Sequence, residues 1–235
     1  MTIDVASPAD LQDAALNYDD ERGNSYLITH FVRGEGPTCG PTVHLVEVTN
    51  SGGVIPPHFH GEDQFQLVTR GDGQIGKTSL APGTFHYVDG FTPYGPIEVG
   101  REGLTFFTVR PKQNTVTHLM PGSGHLRKRR TKRAGFVCNV DMDDPQNQVV
   151  SGPHEDGLAT FRQTFKGGSS VKVAAPHESG GQVAFVLRGE LIVDSKVYPQ
   201  WSCVSVPAGE VFQARAGSGL LDLLLFQFGV QKSAN

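Results

Sequence analysis

The chain has 235 residues, enough for one large β domain or two small ones with buried cores. Its net charge of -4 gives no footprint for nucleic acid, no apolar run reaches membrane-spanning length, and the three cysteines form no paired framework. The acidic N-terminus also lacks the basic-then-apolar order of a secretion signal. Together these features predict a soluble, cytoplasmic protein with no nucleic-acid or membrane partner.

The first element predicted along the chain is one short helix within the first twenty residues. Ser7 is a suitable N-cap, Pro8 suits the first helical position, and Asp10 lies near the positive end of the helix dipole. Beyond it, 29 glycines and 15 prolines fall between short β-branched and aromatic runs. This distribution is typical of many strands joined by tight turns.

Two stretches of the chain are similar at a constant offset of 118 residues, because Gln64 aligns with Gln182 and Gly71 with Gly189. Each stretch ends in Arg-Gly, which indicates a strand entering a hairpin turn. The repeat predicts two β domains, at 1–118 and 153–235, joined by a linker at 119–152. We interpret the basic run in this linker, 124–133, as a solvated segment rather than an anion site, and we expect a strand at 134–140.

The segment from Gly53 to Gln64, which contains His58-Phe-His60, resembles the first motif of the cupin superfamily. That motif has a glycine, then His-x-His, a carboxylate four residues later and a glycine that closes a hairpin. The segment from Pro82 to Tyr94 resembles the second motif, a Pro-Gly turn and a strand that ends near a histidine. The resemblance implies an all-β fold of two tandem cupin (double-stranded β-helix, jelly-roll) domains, a bicupin, and by analogy a homodimer.

His58 and His60 are separated by one residue, so in a strand both side chains point to the same face, into the barrel. Neutral imidazoles in a closed β cavity suit iron, copper, nickel, manganese or zinc. We therefore expect one divalent transition metal there, the alternative being two hydrogen-bonded core histidines. His86 has the strand parity of Val88, and we expect it to be the third ligand or a packed core residue.

Two positions depart from the family pattern. Gln64 replaces the carboxylate ligand and Tyr94 replaces the last histidine. The resemblance therefore makes both residues candidates for direct or indirect metal contact and for catalysis. Glu62 is a candidate general base at the cavity mouth, although an exposed loop carboxylate is the alternative interpretation.

The second copy provides an internal comparison. The same offset replaces the candidate ligands by apolar or unpaired residues, at Pro176, Glu178, Val204 and Phe212. Only the glutamine persists, as Gln182. We therefore expect the second copy to be structural and without metal, and Gln64 to have a hydrogen-bonding function that competes with metal ligation.

Aromatic residues near the motifs predict a small apolar or aromatic substrate: Phe59, Phe65, Phe85, Phe91 and Tyr94. A metal held by neutral ligands keeps its full charge and can polarise an enolate or a dicarbonyl compound. Three functions remain open. They are a metal-dependent dioxygenase similar to the quercetin- and diketone-cleaving cupins, a metal-dependent or metal-free lyase, isomerase or cyclase, and a non-catalytic sensor or storage module.

Overall fold

The computed structural model describes residues 2–11, 14–34, 40–113, 116–128 and 135–230. Contacts between residues divide the chain into two compact units. We call residues 13–30 and 43–140 the first unit, and residues 1–12, 31–42 and 141–235 the second unit. Each unit contains one copy of the repeat. Residues 1–12 and 31–42, expected in the first domain, belong to the second unit, and the expected linker at 119–152 is divided between the two units after residue 140.

In chain order the described residues form the following elements: β1 (Asp4–Ala6), a 3-10 helix (Pro8–Leu11), β2 (Leu16–Asp19), β3 (Ser25–Val32), β4 (Thr42–Val48), β5 (Val54–Ile55), β6 (His58–Phe59), β7 (Gln64–Ile75), β8 (Thr78–Leu80), β9 (Thr84–Val88), β10 (Ile97–Arg110), β11 (His118–Leu119), a second 3-10 helix (Gly124–Leu126), β12 (Gly135–Asn139), β13 (Gln148–Ser151), β14 (Ala159–Phe165), β15 (Ser170–Ala174), β16 (Gln182–Arg188), β17 (Leu191–Val193), β18 (Lys196–Tyr198), β19 (Cys203–Val206), β20 (Val211–Ala216) and β21 (Leu221–Gln227).

The short N-terminal helix is confirmed as a single 3-10 turn. Ser7 and Asp10 cap it reciprocally, because the Asp10 amide donates to Ser7 Oγ at 3.3 Å and the Ser7 amide donates to Asp10 Oδ2 at 3.2 Å. This exchange satisfies two amides at the helix start. No helix among the described residues is long and apolar enough to cross a membrane.

The first unit contains a mainly antiparallel sheet with the strand order β12-β9-β7-β10-β4-β3-β2, with β5 added to β10 and β8 to β7. A small two-stranded sheet pairs β6 with β11, and a bridge joins His58 to Tyr94. The strand expected at 134–140 is β12, which pairs with β9 so that Val137 lies opposite His86. Of the basic run, residues 129–133 lie outside the described residues, and Lys128 Nζ lies 5.2 Å from the centre of the Phe91 ring.

The expected hairpin at Arg70-Gly71 is wrong, because β7 continues through both residues to Ile75. Gly71 has a φ of +80°, and the register of β10 against β7 shifts between Val99 and Leu104, opposite this point. A Cβ on Gly71 would collide with the backbone carbonyl of Gly103. The glycine therefore permits a bulge in a long strand rather than a turn. In the second copy β16 does end at Arg188, immediately before Gly189.

The second unit has two sheets, with the orders β1-β19-β16-β21-β14-β13 and β15-β20-β17-β18. Its strands repeat those of the first unit at the expected offset, since β8 and β18 begin at Thr78 and Lys196. The positions equivalent to His86 and Tyr94 are Val204 and Phe212, which are 1% and 5% exposed and belong to one apolar core. Apolar side chains thus pack where the first unit has candidate ligands.

Candidate substrate cavity and histidine site

The first unit contains a partly open cavity of about 470 Å³, a volume suited to a small organic molecule. The expected aromatic lining is wrong in most positions: of the five aromatic residues proposed, Tyr94 lines the cavity, and Phe59, Phe65 and Phe85 are fully buried elsewhere. Strand parity explains this, because Phe59 alternates with His58 and His60 and so faces away from the cavity. The polar residues lining the cavity include His30, His44, His58, His60, Gln66, Tyr94, Thr108 and Arg110.

His58 and His60 both line the cavity, as their shared parity predicts, with ring centres 5.2 Å apart. His58 Nδ1 lies 2.7 Å from the Pro56 carbonyl oxygen, and His60 Nδ1 lies 2.8 Å from that of Val116. A carbonyl oxygen only accepts, so each Nδ1 must carry the proton and donate it. In the neutral ring this leaves the lone pair on Nε2, which is the tautomer that a metal ligand requires.

Tyr94 lies against both histidines, with its ring centre 4.4 Å from that of His58. Its hydroxyl accepts a hydrogen bond from Gln64 Nε2 at 2.5 Å, and Gln64 Oε1 accepts one from Arg110 Nε at 3.2 Å. Gln64 is completely buried and does not line the cavity. Its amide therefore connects Tyr94 to Arg110, which is the hydrogen-bonding function that its persistence in the second copy indicates.

His86 is buried next to Tyr94, with ring centres 5.1 Å apart, but it lines a separate cavity of about 10 Å³. Gln66 lines both cavities, and its Oε1 lies 3.3 Å from His86 Nδ1. Its side chain thus stands between His86 and the substrate space. This geometry favours the packed-residue interpretation of His86 over the ligand interpretation.

Glu62, the candidate general base, is largely buried rather than exposed, and its Oε1 lies 3.4 Å from Lys112 Nζ. It is not among the described residues that line the cavity. Two histidines outside the predicted motifs, His30 and His44, do line it, and their Nδ1 atoms lie 3.0 Å apart. Because one of these nitrogens must donate and the other accept, the pair shares a proton at the cavity wall.

Burial dominates the ionisation of the site. It lowers the pKa of His58 and, with the nearby Arg110 charge, lowers those of His60 and His44 to about 3. Burial also raises the pKa of Tyr94 to about 12, although Arg110 and the Gln64 hydrogen bond act in the opposite direction. At neutral pH the cavity therefore presents neutral imidazoles and a neutral phenol beside a charged guanidinium.

We expect the metal-free protein to lose stability as the pH falls below about 6.5. The pKa of His44 is about 3 in the folded chain, so between these values the unfolded chain binds the additional proton. Each such histidine lowers the free energy of unfolding by about 1.4 kcal/mol per pH unit. Urea denaturation at pH 7, 6 and 5 measures how steeply the free energy of unfolding depends on pH. His44→Gln should reduce this slope by the contribution of one proton, about 1.4 kcal/mol per pH unit. An unchanged slope would contradict the assignment.

The donor set fits a metal ion through two residues, His58 and His60, which have the required tautomer. The expected three-histidine set does not form, since the described residues contain no group of three His, Cys, Asp or Glu side chains arranged to hold a metal. A third protein donor would have to come from a neutral oxygen such as that of Tyr94. The remaining positions would be filled by water or substrate.

No protein-family model matches the sequence, and no curated protein is similar enough to match it. Solved structures are similar in fold. A pirin from Escherichia coli in complex with nickel(II) is 11% identical, with a TM-score of 0.60, over 98% of this chain and 100% of that one. A cupin 2 conserved barrel domain protein from Leptotrichia buccalis is 14% identical, with a TM-score of 0.52, over 92% and 93%.

A third similar structure is the formate complex of the oxalate decarboxylase from Lactobacillus farciminis. It is 11% identical, with a TM-score of 0.58, over 94% of this chain and 85% of that one. At such identities the likeness concerns the fold and not the reaction. Strand content, sheet order and these neighbours lead to one conclusion: the chain is an all-β protein with the cupin fold over nearly its whole length.

Proposed function

We propose that the first unit is the active centre of a metal-dependent enzyme that acts on a small organic molecule, with His58 and His60 as the metal ligands. The observation that carries this proposal is the pair of hydrogen bonds from Nδ1 of each ring to a backbone carbonyl. These bonds fix the tautomer and orientation of both rings before any metal arrives. The similar pirin in complex with nickel(II) is consistent with a metal in this fold.

The two units are, in this proposal, two tandem cupin domains with different tasks. The first has a cavity of about 470 Å³, whereas the second has an apolar core at the equivalent ligand positions. A structural task for the second domain follows from that contrast. The homodimer expected by analogy stays a prediction that sedimentation analysis would test.

A bound divalent ion would supply Lewis-acid polarisation of a substrate oxygen. The protein residues themselves are suited to moving protons. His30 and His44 share one proton at the cavity wall, and Tyr94 keeps its phenolic proton at neutral pH because burial raises its pKa. We therefore favour proton transfer, as in a lyase or isomerase, over the dioxygenase reaction expected from the sequence.

The test combines metal analysis with turnover in the absence of oxygen. Protein purified without a tag is expected to contain about one equivalent of a divalent transition metal, and to convert a member of a panel of small hydroxy, keto and dicarbonyl acids anaerobically. Conversion that requires oxygen would support the dioxygenase. Absence of metal would contradict the proposal, and ligand binding without turnover would support a sensor or storage module.

A further inference from the structure

We propose that Arg110 forms an anion-binding end of this cavity, so that the substrate carries a carboxylate or a similar small anionic group. The inference rests on the proposed function, because it names the substrate class for the same cavity. It does not depend on the identity of the metal or on the reaction class.

The first step is the position of Arg110. It is the last residue of β10, it is 8% exposed, and it lines the 470 Å³ cavity. Its Nε donates to Gln64 Oε1 at 3.2 Å, and Gln64 in turn donates to Tyr94. One edge of the guanidinium is thus fixed by a completely buried amide. A fixed guanidinium recognises carboxylates well, because its planar fork loses little further freedom on binding.

The second step is the charge of the cavity wall. Burial and the Arg110 charge lower the pKa of the lining His44 to about 3, so this imidazole adds no positive charge at neutral pH. Asp20 and Arg22 are the other charged side chains among the described lining residues, and Asp20 accepts hydrogen bonds from Asn24 and Tyr26. In a partly desolvated cavity the permanent Arg110 charge therefore favours an anion.

Glu62 is the nearby carboxylate that competes for this charge. Burial lowers the pKa of Arg110, and the interactions with Tyr94 and Glu62 act in the opposite direction. However, Glu62 does not line the cavity, and its Oε1 lies 3.4 Å from Lys112 Nζ. It thus weakens the attraction for an anion without occupying the substrate space. Removing its charge should strengthen anion binding.

The third step is the comparison with the second unit. There Gln182 corresponds to Gln64, and its ladder partner is Gln227, whose Oε1 accepts a hydrogen bond from Gln182 Nε2 at 2.8 Å. In the first unit Arg110 follows Val109, which pairs with Phe65, so Arg110 occupies the place of Gln227. A neutral amide is therefore sufficient to hydrogen-bond the buried glutamine at this position. The buried charge of Arg110 is an addition specific to the unit that has the cavity.

Arg110→Gln is the matched variant, because it installs the side chain that the second unit already accommodates. The probes are sodium acetate, malonate and benzoate, with acetamide and benzamide as neutral counterparts, titrated calorimetrically into chelator-treated protein. The unaltered protein should bind a carboxylate at least tenfold more tightly than its amide. Arg110→Gln should weaken carboxylate binding roughly 10- to 100-fold and leave amide binding unchanged. Glu62→Gln should strengthen carboxylate binding about twofold or more.

Metal analysis of the same samples separates this proposal from the proposed function. Arg110→Gln should keep its metal, whereas substitution of His58 should remove it. Carboxylate binding that persists in chelator-treated protein and is lost in Arg110→Gln supports the anion site even if no metal is found. Equal binding of carboxylates and amides, carboxylate binding unaffected by Arg110→Gln, or no carboxylate binding at millimolar concentrations would each overturn it.

Discussion

Substitution of His58 or His60 by alanine is expected to reduce bound metal to less than about a tenth of an equivalent. It should also lower kcat/KM by roughly 100-fold or more, since even residues that only orient a metal ligand contribute 10- to 100-fold to metal affinity or activity. The physical reason is that the two rings supply the site's nitrogen donors with their tautomer already fixed by the Pro56 and Val116 carbonyls. Metal content by mass spectrometry and steady-state kinetics measure the two effects separately.

Controls must separate metal loss from misfolding, because both rings are buried, at 5% and 8% exposure. His58→Gln keeps most of the side-chain volume, so it should lose metal while its free energy of unfolding stays close to that of the unaltered protein. His125→Ala removes an exposed histidine of the same unit and should change neither metal content nor rate. His86→Gln should retain the metal, since Gln66 stands between His86 and the substrate cavity. Metal retained in His58→Ala and His60→Ala would contradict the site.

The repeat and strand parity predicted much of this arrangement. An offset of 118 residues placed both copies of the fold, and a spacing of two residues brought His58 and His60 to one wall of the cavity. Comparison between the copies also indicated the hydrogen-bonding function of Gln64. The shared facing of His58 and His60 was predictable because it depends on backbone periodicity, which a strand imposes on every residue.

Other features depend on how deeply a side chain is buried and on which residues of neighbouring strands it contacts. Periodicity encodes neither. His86 was correctly expected to point inward, but Gln66 from the adjacent strand lies between it and the substrate space. Arg110 was missed, although a lone arginine at the end of the apolar run from Leu104 was a signal of a buried cation. The Arg-Gly pair at Gly71 was interpreted as a turn because glycine favours a positive φ. A positive φ occurs in β-bulges as well as in hairpins, and Gly71 lies in a bulge.

Asp222→Ala is expected to lower the free energy of unfolding by about 3–5 kcal/mol, the usual effect of removing one partner of a buried ion pair. Arg162 and Asp222 are both fully buried in the second unit, and Arg162 Nη2 donates to Asp222 Oδ2 at 2.7 Å. Arg162 also donates to the backbone carbonyls of Asp141 and Asp144, which lie at the start of segment 141–235 of the second unit. The substitution leaves a fully buried guanidinium without its carboxylate partner.

Denaturant titrations of this variant and of a double variant test this expectation. Arg162→Met with Asp222→Leu should recover most of the loss, because two apolar side chains leave no buried charge. Lys196→Ala removes an exposed ion pair with Asp10 and should cost less than about 1 kcal/mol. A loss for Asp222→Ala as small as that of the exposed pair would contradict the prediction. Arg162 therefore has a buried carboxylate partner, whereas the Gln64 oxygen that accepts a hydrogen bond from Arg110 Nε belongs to a neutral amide.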